Sequence, residues 1–478
     1  MNFRIKAENY TFIRGFIPRL MGVIYLCAFF SLFIQLKGLF GEQGILSIAA
    51  FLTEIKSRFG DEAYLKVPSL LWFDSSDLTL LSLNVVGILS AGLLTVGVFP
   101  KAMLALLFLE YLSFVTVGQE FLSFQWDALL LETTAIAILL APLSRRDNNP
   151  PFSFAIFLFR LLLMKLMLSS GAVKLLSGDD SWRNLSALQY HYLTQPLPTV
   201  FAWIAHQFPP AFNKVSCLFV FLIELVTPFL IFGPRAARVL AGGIFIFFQS
   251  LIFLTGNYCF FNLLTVVICL SLFDDKIFRK ERAVTATKRS RIYAVIGLSA
   301  TIFYIAISLS PFLRFNENSW LVTARRAIAP FHLVNSYGLF AVMTKERYEI
   351  EIQGSNDAST WETYLFHYKP GQLSSPPKWV QPHQPRLDWQ LWFAALGPVE
   401  QSPWFLNFAV ALLEGREDVL KLLKVNPFVD APPKYVRALL YRYKFTTFSE
   451  LLTTGQWWSR EELGAYLPPI RLNSTRPQ

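Results

Sequence analysis

Charged side chains stand inside long apolar runs of this sequence: Glu110, Asp127, Glu132, Arg160, Lys165, Lys174 and Glu224. A carboxylate or an ammonium group among hydrocarbon is costly unless it is paired or hydrated, so each is a candidate site by default. Glu132 and Lys165 fall at matched depth on neighbouring antiparallel segments, and Asp127 and Lys174 fall together near one end. Opposite-sign pairs placed this way would neutralise one another. They serve one of two ends. Either they fix helix packing, or they line a polar cavity that takes a lipid headgroup or a substrate segment, with Lys165, Lys174, Glu132 and Asp127 as its acids and bases. In either case Glu132→Leu or Lys165→Leu alone should be worse than the double change, because the single change strands a buried charge.

Two further groups stand outside the apolar runs. The stretch 177–212 carries Trp182, Tyr190, His191, Tyr192, Gln195 and Trp203, punctuated by Pro196 and Pro198. Amphipathic rings of this kind suit the membrane–water interface. The stretch reads as an interfacial anchor or as the mouth of the cavity. Further on, Arg386, Asp388, Trp389 and Trp392 offer aromatic and guanidinium groups, the types that anchor protein interfaces. The same residues could equally fold inward as a structural clasp. Other chemistry lacks a template. There is no GxSxG, no HExxH, no Gly-rich phosphate loop and no His/Cys cluster at metal spacing, so neither a metal nor a cofactor is expected. The histidines (His191, His206, His332, His367 and His383) are scattered. Cys27, Cys217, Cys259 and Cys269 all lie in apolar runs without a CxxC, and read as small buried hydrophobes.

The elements that must position these groups are membrane helices. Of 478 residues 54% are hydrophobic, 46 are Phe, and only 16% are charged, well below the roughly 25% usual in soluble domains. Apolar runs near the required length of about 20 residues cover 18–36, 78–98, 101–117, 124–143, 152–176, 213–233, 235–255, 257–273 and 291–312. The net charge of +10 does not point to nucleic acid. Between the apolar runs, its Lys and Arg sit mostly in alternate short loops: Lys101; Arg145 and Arg146; Arg235 and Arg238; and Lys276, Arg279, Lys280, Arg282, Lys288 and Arg289. By the positive-inside rule those loops and the start of the chain face the cytosol. Arg4, Lys6, Arg14 and Arg19 then belong to a cytosolic tail rather than a cleaved signal peptide. Loops 37–77 and 177–212, and everything after about residue 313, face the other side. Asn184 and Asn473 there begin N-glycosylation acceptor patterns.

The expected fold is thus a polytopic α-helical membrane protein of about nine transmembrane helices, residues 1–312, followed by an extracytosolic mixed β/α domain, residues 313–478. Within that domain 347–353 alternates as a half-buried strand, with Tyr348, Ile350 and Ile352 on one face and Glu349 and Glu351 on the other. A turn-rich stretch and a second strand over 361–368 complete a hairpin. Residues 405–413 and 417–423 have helical spacing, and 435–445 reads as a strand.

Longer motifs carry a resemblance. They are Phe124-Gln125-Trp126-Asp127 with Leu129 to Glu132; Ser170-Gly171-Ala172-Val173-Lys174; Tyr190-His191-Tyr192 with Thr194-Gln195-Pro196-Leu197-Pro198; and Phe261 to Thr265. In the tail they are Asn335-Ser336-Tyr337-Gly338-Leu339-Phe340 and the run from Pro382 to Ala395. With these residues the sequence resembles the lipase maturation factor family along most of its length. The resemblance implies a membrane chaperone-like factor that helps secreted lipases fold and assemble into active dimers, with the tail holding the client. It implies the endoplasmic reticulum membrane in a eukaryote and the inner membrane in a bacterium. The membrane part is also distantly similar to the vitamin K-dependent carboxylase group, but no motif carries that chemistry over. Expected partners are membrane lipid and an exported, lipase-like client. The alternatives are a membrane-embedded enzyme acting on a lipid or a protein side chain, and a transporter, which the lack of an internal repeat disfavours.

Overall fold

The structure, a computed structural model, describes residues 5–278, 291–310 and 319–472. Each expected apolar segment forms a helix: α1 Thr11–Phe33, α2 Asp77–Val96, α3 Pro100–Val115, α4 Gln125–Leu140, α5 Ser153–Leu176, α6 Pro210–Phe221, α7 Arg235–Thr255, α8 Phe261–Cys269 and α9 Arg291–Leu309. Five stretches among the described residues are long and apolar enough to cross a bilayer: Ala7–Phe33, Asp77–Val96, Ser153–Leu176, Pro210–Phe232 and Arg235–Thr255. By contrast, α3 and α4 have 16 residues each, about 24 Å of helix against a hydrocarbon core of about 30 Å. Phe261–Leu272 and Gly297–Leu309 are shorter apolar helices. Five full-length candidate spans therefore stand where nine were expected, and the larger count does not follow from helix length. Of the basic run after the eighth segment, Lys276 is described; Arg279, Lys280, Arg282, Lys288 and Arg289 lie outside the described residues, as does Asn473.

Local chemistry explains the tight α2–α3 hairpin. The Ser76 hydroxyl caps the start of α2 by accepting from the Thr79 amide. Gly97 ends the helix in the left-handed region (φ 82°), and the amides of Gly97 and Val98 return to carbonyls of its last turn. Pro100 then opens α3 at a position where no amide is needed. α1 lies against α2 because Gly22 lets the backbones close up: a Cβ there would come within 2.5–2.8 Å of Thr95 and Ala91. α6 is not regular to its end. Its ladder widens into a π turn over Leu222–Val226, which contains Glu224, and then tightens into a 3-10 turn over Thr227–Phe232.

The tail carries one antiparallel sheet in the order β2-β1-β3-β4, with β1 Arg347–Ser355, β2 Glu362–Thr363, β3 Tyr435–Phe445 and β4 Trp458–Ile470. β1 and β3 run as expected. The expected second strand is reduced to Glu362 and Thr363, because the chain leaves the ladder so that Leu365 can bridge to Val425. The expected polar face of β1 is also corrected. Ile350 and Ile352 are buried as foreseen, but Arg347 and Glu349 on the opposite face are buried too. Arg347 donates to the carbonyls of Leu193, Gln195 and Pro196, and Glu349 pairs with Arg347 at 2.6 Å and Lys369 at 3.0 Å. The stretch 193–196 covers that face. Helix α10, Arg386–Ala394, and helix α11, Pro403–Leu413, pack under the sheet, and α12, Phe448–Thr454, links β3 to β4.

The tail sits on one end of the bundle. Gln384 and Arg386 meet Ser31 and Gln35, just at and beyond the end of α1, while Lys378, Val380 and Gln381 meet Asn257 between α7 and α8. The opposite end is tied by Arg14 to Asp147 at 2.8 Å and by Arg235 to Asp274 at 2.6 Å.

Candidate functional site

Asp127 and Glu132 both project from the first half of α4, and both are fully buried (0% exposed). Glu132 gathers donors from three parts of the chain. Lys165 of α5 pairs with it, as the matched depth required. The Tyr304 hydroxyl of α9 donates at 2.5 Å and the Tyr337 hydroxyl at 2.6 Å. The backbone and side-chain amides of Asn335 donate at 2.9 and 3.0 Å. The Lys165 ammonium also lies over the rings of Tyr304 (4.7 Å) and Tyr337 (5.3 Å). The loop from His332 to Phe340 thus descends from the tail into the helices and closes over this carboxylate. The buried charge is matched, hydrogen-bonded and sealed.

The second expected pair does not form. Asp127 instead accepts from the two terminal guanidinium nitrogens of Arg386, at 3.0 and 3.1 Å, and from the Tyr111 hydroxyl. This forked geometry is the strong form of an arginine–carboxylate contact. Lys174 turns to the π turn of α6 and meets both oxygens of Glu224 at 2.8 and 2.9 Å. The physical reason is reach. Arg386 enters at the depth of Asp127 from the tail, and the widened turn swings Glu224 towards Lys174. Arg160 joins neither pair. It contacts the Tyr10 hydroxyl at 2.5 Å and the Ser271 carbonyl at 3.2 Å, on the other end of the bundle. Glu110 is fully buried and lies outside these clusters.

The candidates expected to face a client turn out to be largely internal. Arg386, Asp388 and Trp389 are 1–3% exposed. Asp388 accepts from the backbone amides of Tyr368 and Lys369, both at 2.8 Å. Trp389 stands edge-on to Trp126, with centroids 5.1 Å apart. Trp392 is half-buried and donates to the Thr194 carbonyl at 2.7 Å. Tyr190, His191 and Tyr192 lie on a short helix, Ala187–Thr194, and are half-buried. His191 packs on the Phe340 ring at 4.7 Å and lies 3.2 Å from the Tyr258 hydroxyl, which donates to Gln195 at 2.6 Å. Gln195 is buried. These residues form the clasp that ties tail to helices, so a client would not reach Arg386, Asp388, Trp389 or Gln195 in this conformation.

Two imidazoles record that burial. His191 and His383 are each pushed down to about 4, mainly by burial, with Lys174 adding to the effect at His191 and Arg386 at His383. Among the described residues no group of three or more His, Cys, Asp or Glu is placed to hold a metal ion. Sequence reasoning missed Asn335, Tyr337, Tyr304 and Arg347. The first two lie inside a motif that carried the resemblance, but no spacing rule ties a tail loop to α4.

With this geometry in view, similarity to known proteins is informative. Residues 12–280 match the family profile described as the lipase maturation factor transmembrane domain, and residues 333–468 match the lipase maturation factor C-terminal domain. Lipase maturation factor 1 of Mus musculus is 33% identical, with 99% of this chain and 89% of that protein covered. Lipase maturation factor 1 of Homo sapiens is 34% identical over 96% of this chain and 87% of its own length. Lipase maturation factor 2 of Homo sapiens is 35% identical, covering 95% and 82%. No solved structure matches at a significant level.

Proposed function

We propose that this chain, which belongs to the lipase maturation factor family, is an integral membrane maturation factor that assists the folding and assembly of exported lipases without catalysing a reaction itself. The observation that carries this reading is the fixed tail. Asp127 and Glu132 hold Arg386, Asn335 and Tyr337, and so pin the tail to one end of the bundle. The tail leaves apolar side chains uncovered. Phe448 (52% exposed) and Leu452 (86% exposed) are one turn apart on α12, and Phe393 and Leu396 are exposed at the end of α10. Such a surface can cover the apolar patches of a partly folded client and suppress its aggregation. The enzyme reading gains nothing here, since the oxygens of Asp127 and Glu132 are taken up by donors of the chain itself.

In this reading the α1–α9 segments are nine crossings, some of them short. The chain divides at residues 312 and 313, and the tail lies outside the cytosol, in the endoplasmic reticulum lumen or the periplasm according to host. What supports the placement is charge. At the end that carries the tail, Lys37, Lys56, Arg58, Lys66, Arg183 and Lys214 are spread in or beside two long loops, whereas at the other end Arg14, Arg145, Arg146, Arg235 and Arg238 stand in or beside short connections. Photocrosslinkers placed at Phe448, Leu452 and Phe393 test the function. We expect capture of a co-expressed secreted lipase before it becomes active. Absence of any exported hydrolase from all three positions, together with full lipase secretion in a deletion strain, would contradict it.

A further inference from the structure

A cleft of about 900 Å³ opens at the end of the bundle away from the tail. It lies between the start of α1, the first half of α5 and the turn from α6 into α7. We propose that it binds the phosphate headgroup of an anionic phospholipid taken from the adjoining leaflet, a site separate from the Glu132 and Asp127 clusters. Among the described residues four cations line it, Lys6, Arg160, Arg235 and Arg238, against the single carboxylate of Asp274.

Asp274 cannot neutralise them. Its oxygens already accept from Arg235 at 2.6 and 2.9 Å and from Arg238 at 3.4 Å. Arg160 is 4% exposed and held in place by Tyr10 and Ser271, so a positive charge is fixed in the wall rather than waving in solvent. The α7 N-terminus, a helix of 21 residues, begins at the rim with Pro234 and Arg235, and adds its partial positive charge. A phosphate would add charge-assisted hydrogen bonds to these guanidinium groups.

The remaining wall says what else the ligand carries. Phe157, Leu161, Phe229 and Phe232 line the same cleft, and Phe229 is 63% exposed. Those side chains belong to α5 and to the continuation of α6, both among the full-length candidate spans. The cleft therefore runs from a basic rim to an apolar wall continuous with the hydrocarbon. A phosphate that carries acyl chains fits both halves, and a free phosphate fits only the rim. Basic pockets between membrane helices on the side of an anionic leaflet recognise lipid headgroups in this way. Which leaflet this end faces rests on the proposed topology, but headgroup binding does not.

The test uses the purified full chain in detergent micelles, titrated separately with phosphatidic acid, phosphatidylcholine and inorganic phosphate. Bound lipid is counted by native mass spectrometry and the melting temperature is followed in parallel. We expect phosphatidic acid to bind at least tenfold more tightly than phosphatidylcholine and to raise the melting temperature. The double variant Lys6→Gln/Arg235→Gln, which leaves the buried Arg160 untouched, should lose roughly fivefold in affinity per charge removed. Arg145→Gln/Arg146→Gln, which removes exposed charge from the same end but away from the cleft, should bind as the parent does. Equal binding of the two lipids, or parental affinity in Lys6→Gln/Arg235→Gln, overturns the proposal. Inorganic phosphate displacing phosphatidic acid at comparable concentration also overturns it, because the cleft would then serve a soluble phosphate compound. Since micelles have no sides, a failure here is distinct from a failure of the topology.

Discussion

The two ends of the helix bundle treat charge in opposite ways. At the tail end, Glu132 and Asp127 are fully buried and, among the described residues, are met by donors of the chain: Lys165, Tyr304, Tyr337 and Asn335 for one, Arg386 and Tyr111 for the other. In the open cleft at the far end, one carboxylate stands among four cations, counted over the described residues. A closed, matched cluster is suited to holding two parts of a protein together. An open, unbalanced one is suited to holding something else. The contrast separates what this chain uses for architecture from what it offers to partners, and it moves the candidates for function away from the most conspicuous charges in the sequence.

The contrast can be broken most forcefully at Glu132. Glu132→Leu leaves Lys165 buried without its partner, and should cost about 3–5 kcal/mol. In a thermal melt of the detergent-solubilised protein it should be worse than Glu132→Leu/Lys165→Leu. A single variant as stable as the double would mean that the cluster is not matched in the way described. Next comes Arg386→Met. It strands Asp127, should cost a comparable amount of up to about 3–5 kcal/mol, and should make the tail cleave earlier in limited proteolysis. Adding Asp127→Leu should restore part of the resistance.

A smaller effect follows from pH. In the unfolded chain His191 and His383 take up protons near the ordinary imidazole value of about 6.5, but in the folded protein only near 4. Their depressed values mean that the unfolded state binds more protons between those limits. Their contribution to stability is whole above about 6.5 and is lost as the pH falls towards 4. The melting temperature should therefore drop from pH 7 to pH 5, and His383→Gln should flatten that slope. The smallest effect on stability is expected from Leu452→Ser, within about 0.5 kcal/mol because the side chain is exposed, although it should weaken client capture.

The sequence made α1 to α9, α11, β1, β3 and the Glu132–Lys165 pair legible, each for a local reason. Apolar length marks a helix, period two marks a strand, and antiparallel neighbours joined by a short loop bring equal depths together. What it hid depends on distant packing. Asp127 meets Arg386 across 259 positions of chain, and no depth rule on α4 and α5 could choose that partner over Lys174. Lys174 found Glu224 because α6 widens at that point, and the widening leaves no mark in the apolar pattern. β4 escaped notice because Glu461, Glu462, Pro468 and Pro469 interrupt alternation, and its pairing with β3 shifts register repeatedly. Glu349 looked like a solvent-facing strand residue until the stretch 193–196 covered it. Of the two readings of Arg386 and Trp389, the inward clasp holds and the client-facing one does not, for a related reason. Residue types that anchor an interface between proteins also anchor one within a protein.

The placement of the tail opposite the basic loops is tested most directly by single cysteines in sealed membrane vesicles of known orientation. Leu452→Cys and Arg146→Cys are each probed with a maleimide that cannot cross the bilayer. Label should reach position 452 only from the non-cytosolic side and position 146 only from the cytosolic side. Labelling of both from the same side would contradict the account.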